Sequence, residues 1–355
     1  MATGFSHSFA LSNNGKVYAT GRNNYGQLGL GDNGTGTNRD IFTEVTFLGD
    51  KNITSIATGY DHSFALSNDG KVYAAGYNSF GQLGLGNNVN RNSFTEVTFL
   101  NDKNITAIAV GYYHSLVLTN DGKVYATGFN DYGQLGLGNN TDSNSFTEVT
   151  FLSDKNITSI AAGEYHSLVL TNDGKVYAVG YNNFGQLGLS SNADCNSFTE
   201  VISISDVSLI ATGNDHSFAL TNDGKVYAAG LNNIGGLGLG NNANRDIFTE
   251  VIFLGDKNIT AIDGGVYHSF ALTNDGKVYA AGGNSNGQLG LGNNANHYNF
   301  TEVTSVSGVS VIAAGYYHSF ALSNNGKVYA TGRNDYGQLG LGDNDIRKNF
   351  TEVRF

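Results

Sequence analysis

The sequence predicts an all-β protein, a seven-bladed β-propeller of four-stranded antiparallel blades. Three observations predict it. The segment "HSFALSNDGKVYAAG", residues 62–76, is one of seven copies that differ only by small changes. The period of the repeat is 50 to 55 residues, which is typical of propeller blades. Each period contains four short strand-like segments. Because the copies cover nearly the whole chain, we expect residues 1–355 to form a single propeller domain.

The four segments of one copy, taken in order, are "ITSIA", "HSFAL", "KVYAA" and "FTEVTF". Three of them alternate in polarity with a period of two, which places one set of side chains on each face of a sheet. The second and third are joined by Ser-Asn-Asp-Gly or a close variant, where glycine supplies the positive φ of a tight hairpin. An isolated hairpin is marginally stable in water. Seven sheets around one axis can bury their faces against each other.

The run "AxGxxHSxxLxxxGKVYAxGxN", followed by "GQLGLG", resembles the regulator-of-chromosome-condensation repeat family. The motif recurs in all seven copies, unchanged or with single substitutions such as "GGLGLG" at residues 235–240. The resemblance implies seven blades and a scaffold whose function differs between members. These members include a plant ultraviolet-B photoreceptor, a bacterial β-lactamase inhibitor, ubiquitin-ligase modules and a nuclear exchange factor. A photoreceptor role is not expected, since it depends on tryptophans and this chain has none.

Two features depart from the family pattern. The family usually has tryptophan before the glycine of "GxN", and this chain has Thr20, Ala75, Thr127, Val179, Ala229, Ala281 and Thr331. The family often has proline ahead of the last strand, and this chain has no proline. Around the seam, only 44 residues separate His318 from His7. We therefore expect the ring to close with a shortened first strand and no overlapping clasp.

Composition argues against several classes of partner. The formal net charge is −11, and no basic run offsets it, so neither nucleic acid nor an anionic membrane is expected to bind. No apolar run approaches the ~18 residues of a membrane span. Cys195 is the only cysteine, which excludes a disulfide framework. The first residues lack the pattern of a secretion signal, and these features together favour a cytoplasmic location.

Two sets of loops are predicted to share one face of the ring, here called the upper face. They are the Gly-x-x-His turns and the Gly-x-Asn-x-x-Gly loops, whereas the Asn-Asp-Gly hairpins fall on the lower face. The hairpins are nearly identical between copies, but the upper positions vary. Varied side chains on a repeated scaffold indicate a recognition surface. The predicted partner-binding residues are Tyr60, Asp61, Tyr77, Tyr112, Tyr113, Phe129, Glu164, Tyr165, Tyr181, Asp215, Tyr267, Tyr316 and Tyr317.

Burial is expected to differ between these loops. The two residues before each histidine should be exposed, because Asp61, Glu164 and Asp215 share those positions. The residues two beyond each asparagine should instead be buried, since they precede a glycine turn. These residues are Tyr25, Phe80, Tyr132, Phe184, Ile234, Asn286 and Tyr336.

No cofactor, metal ion or catalytic residue is predicted. Seven equivalent histidines lie on a circle too wide to share one zinc ion, and we expect each to hydrogen-bond backbone groups within or between blades. The loop at residues 31–40 has the composition of a calcium loop, but Thr43 stands where a bidentate glutamate is needed. No helix follows the "GLGLG" motifs to bind phosphate. Cys195 has no nearby base in the sequence.

The sequence favours a non-catalytic scaffold, not an enzyme, that binds a protein partner through its aromatic upper face. One alternative is a guanine-nucleotide exchange factor for a small GTPase. That function needs a protruding wedge, and the largest insertion, in the first copy, is three residues. A second alternative is a self-associating module of a longer repeat array. The chain is expected to be a monomer or a weak homodimer.

Overall fold

A computed structural model describes all residues from 1 to 355 and shows seven four-stranded antiparallel sheets. Each sheet uses four consecutive strands in chain order, so every blade comes from one contiguous segment. The first strands of neighbouring blades lie next to each other and line a central channel. The seven-bladed propeller predicted from the repeat is confirmed.

Blades 1 to 3 are formed by the first twelve strands. Blade 1 contains β1 (Ala2–Thr3), β2 (His7–Leu11), β3 (Val17–Gly21) and β4 (Arg39–Glu44). Blade 2 contains β5 (Ile53–Thr58), β6 (His62–Ser67), β7 (Val72–Gly76) and β8 (Arg91–Glu96). Blade 3 contains β9 (Ile105–Val110), β10 (His114–Thr119), β11 (Val124–Gly128) and β12 (Ser143–Glu148).

Blades 4 to 7 repeat the arrangement. Blade 4 contains β13 (Ile157–Ala162), β14 (His166–Thr171), β15 (Val176–Gly180) and β16 (Cys195–Glu200). Blade 5 contains β17 (Val207–Thr212), β18 (His216–Thr221), β19 (Val226–Gly230) and β20 (Arg245–Glu250). Blade 6 contains β21 (Ile259–Gly264), β22 (His268–Thr273), β23 (Val278–Gly282) and β24 (His297–Glu302). Blade 7 contains β25 (Val309–Ala314), β26 (His318–Ser323), β27 (Val328–Gly332) and β28 (Arg347–Val353).

Helical structure is limited to four 3₁₀ turns between blades. They span Thr46–Leu48, Thr98–Leu100, Thr150–Leu152 and Ile252–Leu254. Each turn buries its leucine and leaves its phenylalanine about half exposed on the rim. No helix in the chain has the length and apolar character that crossing a lipid bilayer requires.

The apolar core lies between blades rather than within any one of them. The cluster at the junction of blades 3 and 4 joins Leu116 and Leu135 of one blade to Val169 and Phe198 of the next. Gly136, in the "GQLGLG" loop, has φ of +69° and lies against the Phe198 ring, where a Cβ atom would overlap it. This close approach explains why the loop carries glycine at that position.

The seven histidines and the serines that follow them form a closed ring of hydrogen bonds, here called the histidine–serine belt. Each histidine Nε2 lies 2.8 to 3.1 Å from the serine Oγ of the next blade. The serine hydroxyl also donates to a backbone carbonyl of the preceding blade, as Ser167 does to Gln134 at 2.9 Å. Because a hydroxyl has one proton, this network assigns the proton of the histidine to Nε2. The expected backbone partner is therefore wrong: the acceptor is a serine side chain.

The seam between blades 7 and 1 closes through the same contacts as the other junctions. His318 Nε2 lies 2.8 Å from Ser8 Oγ, and Ser8 Oγ donates to the Gln338 carbonyl at 2.9 Å. The first strand pairs only Ala2 with Phe9 and Thr3 with Ser8, as the shortened spacing predicted. The apolar cluster at the seam has eight buried residues, whereas the other six clusters have eleven to thirteen. The seam keeps the histidine–serine contact of the other junctions, but its apolar core is smaller.

Threonine takes a structural role at positions where related repeats usually have tryptophan. Thr127 Oγ1 donates to the Gly81 carbonyl of blade 2 at 3.0 Å and also lies 2.8 Å from the Ser143 carbonyl of its own blade. Thr20 makes the equivalent contact across the seam with Gly337 at 2.8 Å. A buried hydroxyl therefore links adjacent blades at these positions.

The belt predicts the effect of removing one serine hydroxyl. The Ser167→Ala variant leaves the His114 Nε2–H and the Gln134 carbonyl without their partner in a fully buried site. We expect the free energy of unfolding to fall by about 1–3 kcal/mol, measured by urea denaturation. Ser79→Ala, at an exposed upper loop position, is the control and should change it by less than about 0.5 kcal/mol. Equal stability of the two variants would contradict a structural role for the belt.

Candidate functional site

The Gly-x-x-His turns and the Gly-x-Asn loops share the upper face, as predicted. The two loops of each blade are joined by a backbone hydrogen bond. Tyr77 N donates to the Asp61 carbonyl at 2.8 Å, and Tyr181 N donates to the Tyr165 carbonyl at 2.8 Å. The variable positions of each blade are therefore held close together on one surface.

The first residue of each pair before a histidine surrounds the upper mouth of the central channel. Phe5 lies between Tyr60 and Tyr316, with ring centroids 4.1 and 4.2 Å away, and Tyr60 packs on Tyr112 at 3.9 Å. Blades 4 to 6 place Glu164, Asn214 and Val266 at the same mouth. One half of the mouth is therefore aromatic, and the other half is mainly polar.

The second residue of each pair points outward to the Gly-x-Asn loops. Tyr113 packs on Phe80 with ring centroids 5.0 Å apart, and Tyr165 packs on Tyr132 at 5.2 Å. Both contacts cross from one blade to the loop of the preceding blade. They produce a continuous band of rings over blades 1 to 4, here called the aromatic band, which comprises Tyr25, Tyr77, Phe80, Tyr113, Phe129, Tyr132, Tyr165, Tyr181 and Phe184.

The expected exposure of the residues before the histidines is only partly right. Asp61 is buried, with 3% of its surface exposed, because Arg22 and Gln27 cover it. Arg22 Nη1 lies 3.4 Å from Asp61 Oδ2, and Gln27 Nε2 donates to Asp61 Oδ1 at 2.5 Å. Ser6 and Val266 are also buried. The other twelve predicted partner-binding residues are half-buried. The residues two beyond each asparagine are also half-buried, so the prediction that they are buried is wrong.

The asparagines of the Gly-x-Asn loops are structural. Asn78 is fully buried, and its Nδ2 donates to the Asn87 and Val89 carbonyls at 2.8 and 3.1 Å. Its Oδ1 accepts a hydrogen bond from Leu83 N at 2.9 Å. The side chain thus holds the loop closed, as expected of a turn-forming residue, and has no free polar atom to offer a ligand.

The belt histidines are equally inaccessible. Their exposed fractions are 0 to 1%, and burial lowers the pKa of His114 to about 3 and that of His216 to about 4. No group of three or more histidine, cysteine, aspartate or glutamate side chains is arranged to hold a metal ion. The histidines stabilise the ring in their neutral form.

Carboxyl groups of the upper face have raised pKa values. Burial raises the pKa of Asp61 and Glu164 to about 7 and that of Asp215 to about 6. For Glu164 the charge of Asp215 adds to the effect of burial, whereas for Asp61 the charge of Arg22 acts in the opposite direction. The negative charge of the upper face therefore changes with pH near neutrality.

Asp263 is a channel residue that sequence reasoning missed. It lines the central channel where the other six copies have alanine: Ala2, Ala57, Ala109, Ala161, Ala211 and Ala313. Its Oδ2 accepts a hydrogen bond from Ala314 N at 2.8 Å, and its Oδ1 accepts one from Gly264 N at 3.0 Å. Burial raises its pKa to about 7. Aligning the seven copies would have revealed Asp263, because the other six copies all have alanine at this position.

Seven contiguous blades, closed by a histidine–serine belt and bearing a variable upper face, define the class of β-propellers built from regulator-of-chromosome-condensation repeats. The sequence model of the RCC1-like domain matches residues 1–209 and 150–354. The chain belongs to this family, and the resemblance drawn from the repeat motif is confirmed.

Among curated relatives, the Arabidopsis thaliana ultraviolet-B receptor UVR8 is 35% identical over 201 residues, covering 55% of this chain and 43% of the relative. The human probable E3 ubiquitin-protein ligase HERC6 is 37% identical over 201 residues, covering 54% of this chain and 19% of the relative. The matches span less than half the length of these relatives.

Solved structures show the same fold over nearly the whole chain. Prp20p of Saccharomyces cerevisiae, described together with its binding to Gsp1p and histones, superposes with a TM-score of 0.87 at 25% identity, covering 98% of this chain and 88% of that one. Human WBSCR16 superposes with a TM-score of 0.84 at 24% identity, covering 96% of this chain and 94% of that one.

Asp263 predicts a specific pH dependence of stability. Its folded pKa of about 7 exceeds its ordinary value of 3.8, so the stability that this group contributes falls as pH rises from about 4 to about 7. The Asp263→Ala variant lacks this carboxyl group and therefore lacks its pH-dependent contribution to stability. The variant should therefore gain stability relative to the wild type by up to about 1.4 kcal/mol per pH unit across that window.

Urea denaturation at several pH values measures this difference. Asp246→Ala, which removes an exposed carboxyl group, is the control and should show no such trend between pH 5 and 7. A stability difference between Asp263→Ala and wild type that stays constant with pH would show that the channel carboxyl group titrates normally.

Proposed function

We propose that this chain is a non-catalytic propeller that binds a protein partner through its upper face. The observation that carries the proposal is the aromatic band beside the channel mouth. Its side chains differ from copy to copy, although the loops that hold them are built alike. A repeated scaffold with varied, ring-bearing side chains is suited to recognition of an irregular surface.

The rings of the upper face are ordered by mutual packing. Tyr112 packs on Tyr60 at 3.9 Å and on Tyr113 at 4.4 Å, so it has little rotamer freedom to lose on binding. Tyrosines held in this way supply large contact area at low entropic cost, together with a polar tip. Such residues are enriched among the few that dominate binding energy.

Relatives support the same proposal. The yeast structures show Prp20 bound to Kap60, and Prp20p is described with its binding to Gsp1p and histones. The belt histidines are buried, and the asparagines of the Gly-x-Asn loops, such as Asn78, hydrogen-bond within those loops. These histidines and asparagines therefore contribute to the scaffold, and recognition is assigned to the variable side chains of the upper face.

Replacing two aromatic side chains of the upper face with alanine tests the proposal. Tyr112→Ala with Tyr165→Ala removes two half-buried rings of the mouth and band, and we expect partner capture to fall by at least tenfold. Affinity purification with quantitative mass spectrometry measures the capture. Phe99→Ala with Phe151→Ala removes two rings of the rim, about half exposed, and should leave capture unchanged. Equal capture by both variants would refute upper-face binding, and thermal melts check that both fold.

Nucleotide exchange on a small GTPase and self-association remain alternatives. The connections between the third and fourth strands of each blade are of similar length, and the longest, in blade 1, joins Gly21 to Arg39. None therefore has the size of a wedge. Release of labelled nucleotide from a panel of GTPases, and sedimentation across a concentration range, distinguish these alternatives. Accelerated release, or a dimer whose formation needs the upper face, would replace the present proposal.

A further inference from the structure

Two aspartates occupy equivalent pockets on the upper face. Asp61 stands directly before His62, and Asp215 stands directly before His216. Each accepts a hydrogen bond from a glutamine side chain of the preceding blade. Gln27 Nε2 donates to Asp61 at 2.5 Å, and Gln186 Nε2 donates to Asp215 at 3.3 Å. The chain thus contains the same carboxylate pocket twice, at the junctions of blades 1–2 and 4–5.

The pocket at blades 1–2 is filled by an arginine of the chain itself. Arg22 of blade 1 lies 3.4 Å from Asp61 Oδ2, and the two side chains are only 17% and 4% exposed. The guanidinium lies 5.7 Å from the Tyr25 ring centroid and 5.8 Å from the Tyr336 ring centroid. This junction shows which group the pocket accommodates: a planar cation between aromatic rings.

The pocket at blades 4–5 lacks that cation. Tyr181 occupies the position of Arg22, and no lysine or arginine nitrogen lies within 4.0 Å of Asp215. Asp215 remains half-buried, whereas Asp61 is buried. The Tyr181 ring lies between Tyr132 and Phe184, with ring centroids 4.9 and 6.0 Å away. Tyr181 therefore takes the place of the Arg22 side chain between two rings, but it brings no positive charge to Asp215.

A second carboxyl group, that of Glu164, lies at the channel mouth beside Asn214, the residue before Asp215. Glu164 of blade 4 is close enough for the charge of Asp215 to add to the effect of burial on its pKa. The Asn214 side chain donates a hydrogen bond to Glu164. The two arginines of the Gly-x-Asn loops are paired elsewhere, Arg22 with Asp61 and Arg333 with Asp335 at 2.7 Å. Arg245 at the start of β20 donates to the Ala243 and Asn244 carbonyls. No group of the chain is therefore placed to neutralise Asp215 and Glu164.

We propose that this pocket, formed by Asp215, Glu164 and Gln186 with Tyr181 at its edge, binds an arginine side chain of the protein partner. The inference rests on the proposed function and adds the chemistry of the group recognised. A guanidinium suits the pocket because it forms paired hydrogen bonds with a carboxylate and also stacks on aromatic rings. A protein that inserts an exposed arginine beside the channel mouth fits this surface.

A pair of short peptides tests the pocket directly. The first is acetyl-Gly-Ser-Arg-Ser-Gly-amide, and the second has citrulline in place of arginine, which keeps the shape and removes the charge. We expect the arginine peptide to bind with a Kd on the order of 1 mM, as suits a single side chain, and the citrulline peptide to bind at least tenfold more weakly. Amide chemical shifts of the intact, isotope-labelled chain measure both.

Three variants locate the binding. The double variant Glu164→Gln with Asp215→Asn should raise the Kd of the arginine peptide at least tenfold. Tyr181→Arg should block it, because the new side chain supplies in blade 4 the cation that Arg22 supplies in blade 1. Asp61→Asn is the matched control and should leave binding unchanged, since that pocket is already occupied.

Several results would overturn the proposal that this pocket binds arginine. They are equal binding of the arginine and citrulline peptides, no shift at up to about 10 mM peptide, or full binding by the Tyr181→Arg variant. If the peptide does not bind but capture of the protein partner still depends on Tyr112 and Tyr165, only the arginine pocket fails. If capture is also independent of those rings, the proposed function fails with it.

Discussion

The hydrogen bond between a histidine of one blade and a serine of the next is the interaction on which the rest of this structure depends. It occurs at all seven junctions, including the seam, at 2.8 to 3.1 Å. Both partners are buried, so a missing partner would leave an unsatisfied polar group in a dry site. Adjacent glycines allow this packing, since a Cβ on Gly111 would overlap the His114 ring. The belt thereby sets the distance and rotation between neighbouring blades, and the upper loops inherit that spacing.

Because the scaffold is repeated, differences in function must come from the side chains that vary on it. The mouth of the channel is aromatic over blades 7 and 1 to 3, where Phe5 packs between Tyr60 and Tyr316. Over blades 4 and 5 the mouth carries Glu164 and Asn214, and Asp215 lies just outside it. Burial raises the pKa values of Glu164 and Asp215. Apolar contact area and unneutralised negative charge thus lie side by side on one surface. A partner that presents an apolar patch next to a cation complements both halves.

Sequence reasoning succeeded where the relevant contacts are local or repeated. The hairpins, the number of blades and the common face of the two loop families follow from the strand pattern and the turn residues. It failed for Asp61, which was expected to be exposed, because Arg22, the residue that covers it, lies in another blade, 39 residues away. It also assigned backbone partners to the histidines, since nothing in a single copy shows that the next copy brings a serine hydroxyl to Nε2. Asp263 could have been noticed, because six alanines stand at its equivalent positions.

The sequence by itself determined the seven units, their strands and the positions at which side chains differ, since period-two alternation and glycine turns act over a few residues. Only the tertiary structure decided how the seam closes, which carboxyl groups are paired and which half of the mouth is aromatic. Those features depend on distances between blades, and such distances exist only once the ring has closed. Two aspartates with the same local sequence setting therefore differ in charge environment, because the preceding blade presents arginine to one and tyrosine to the other.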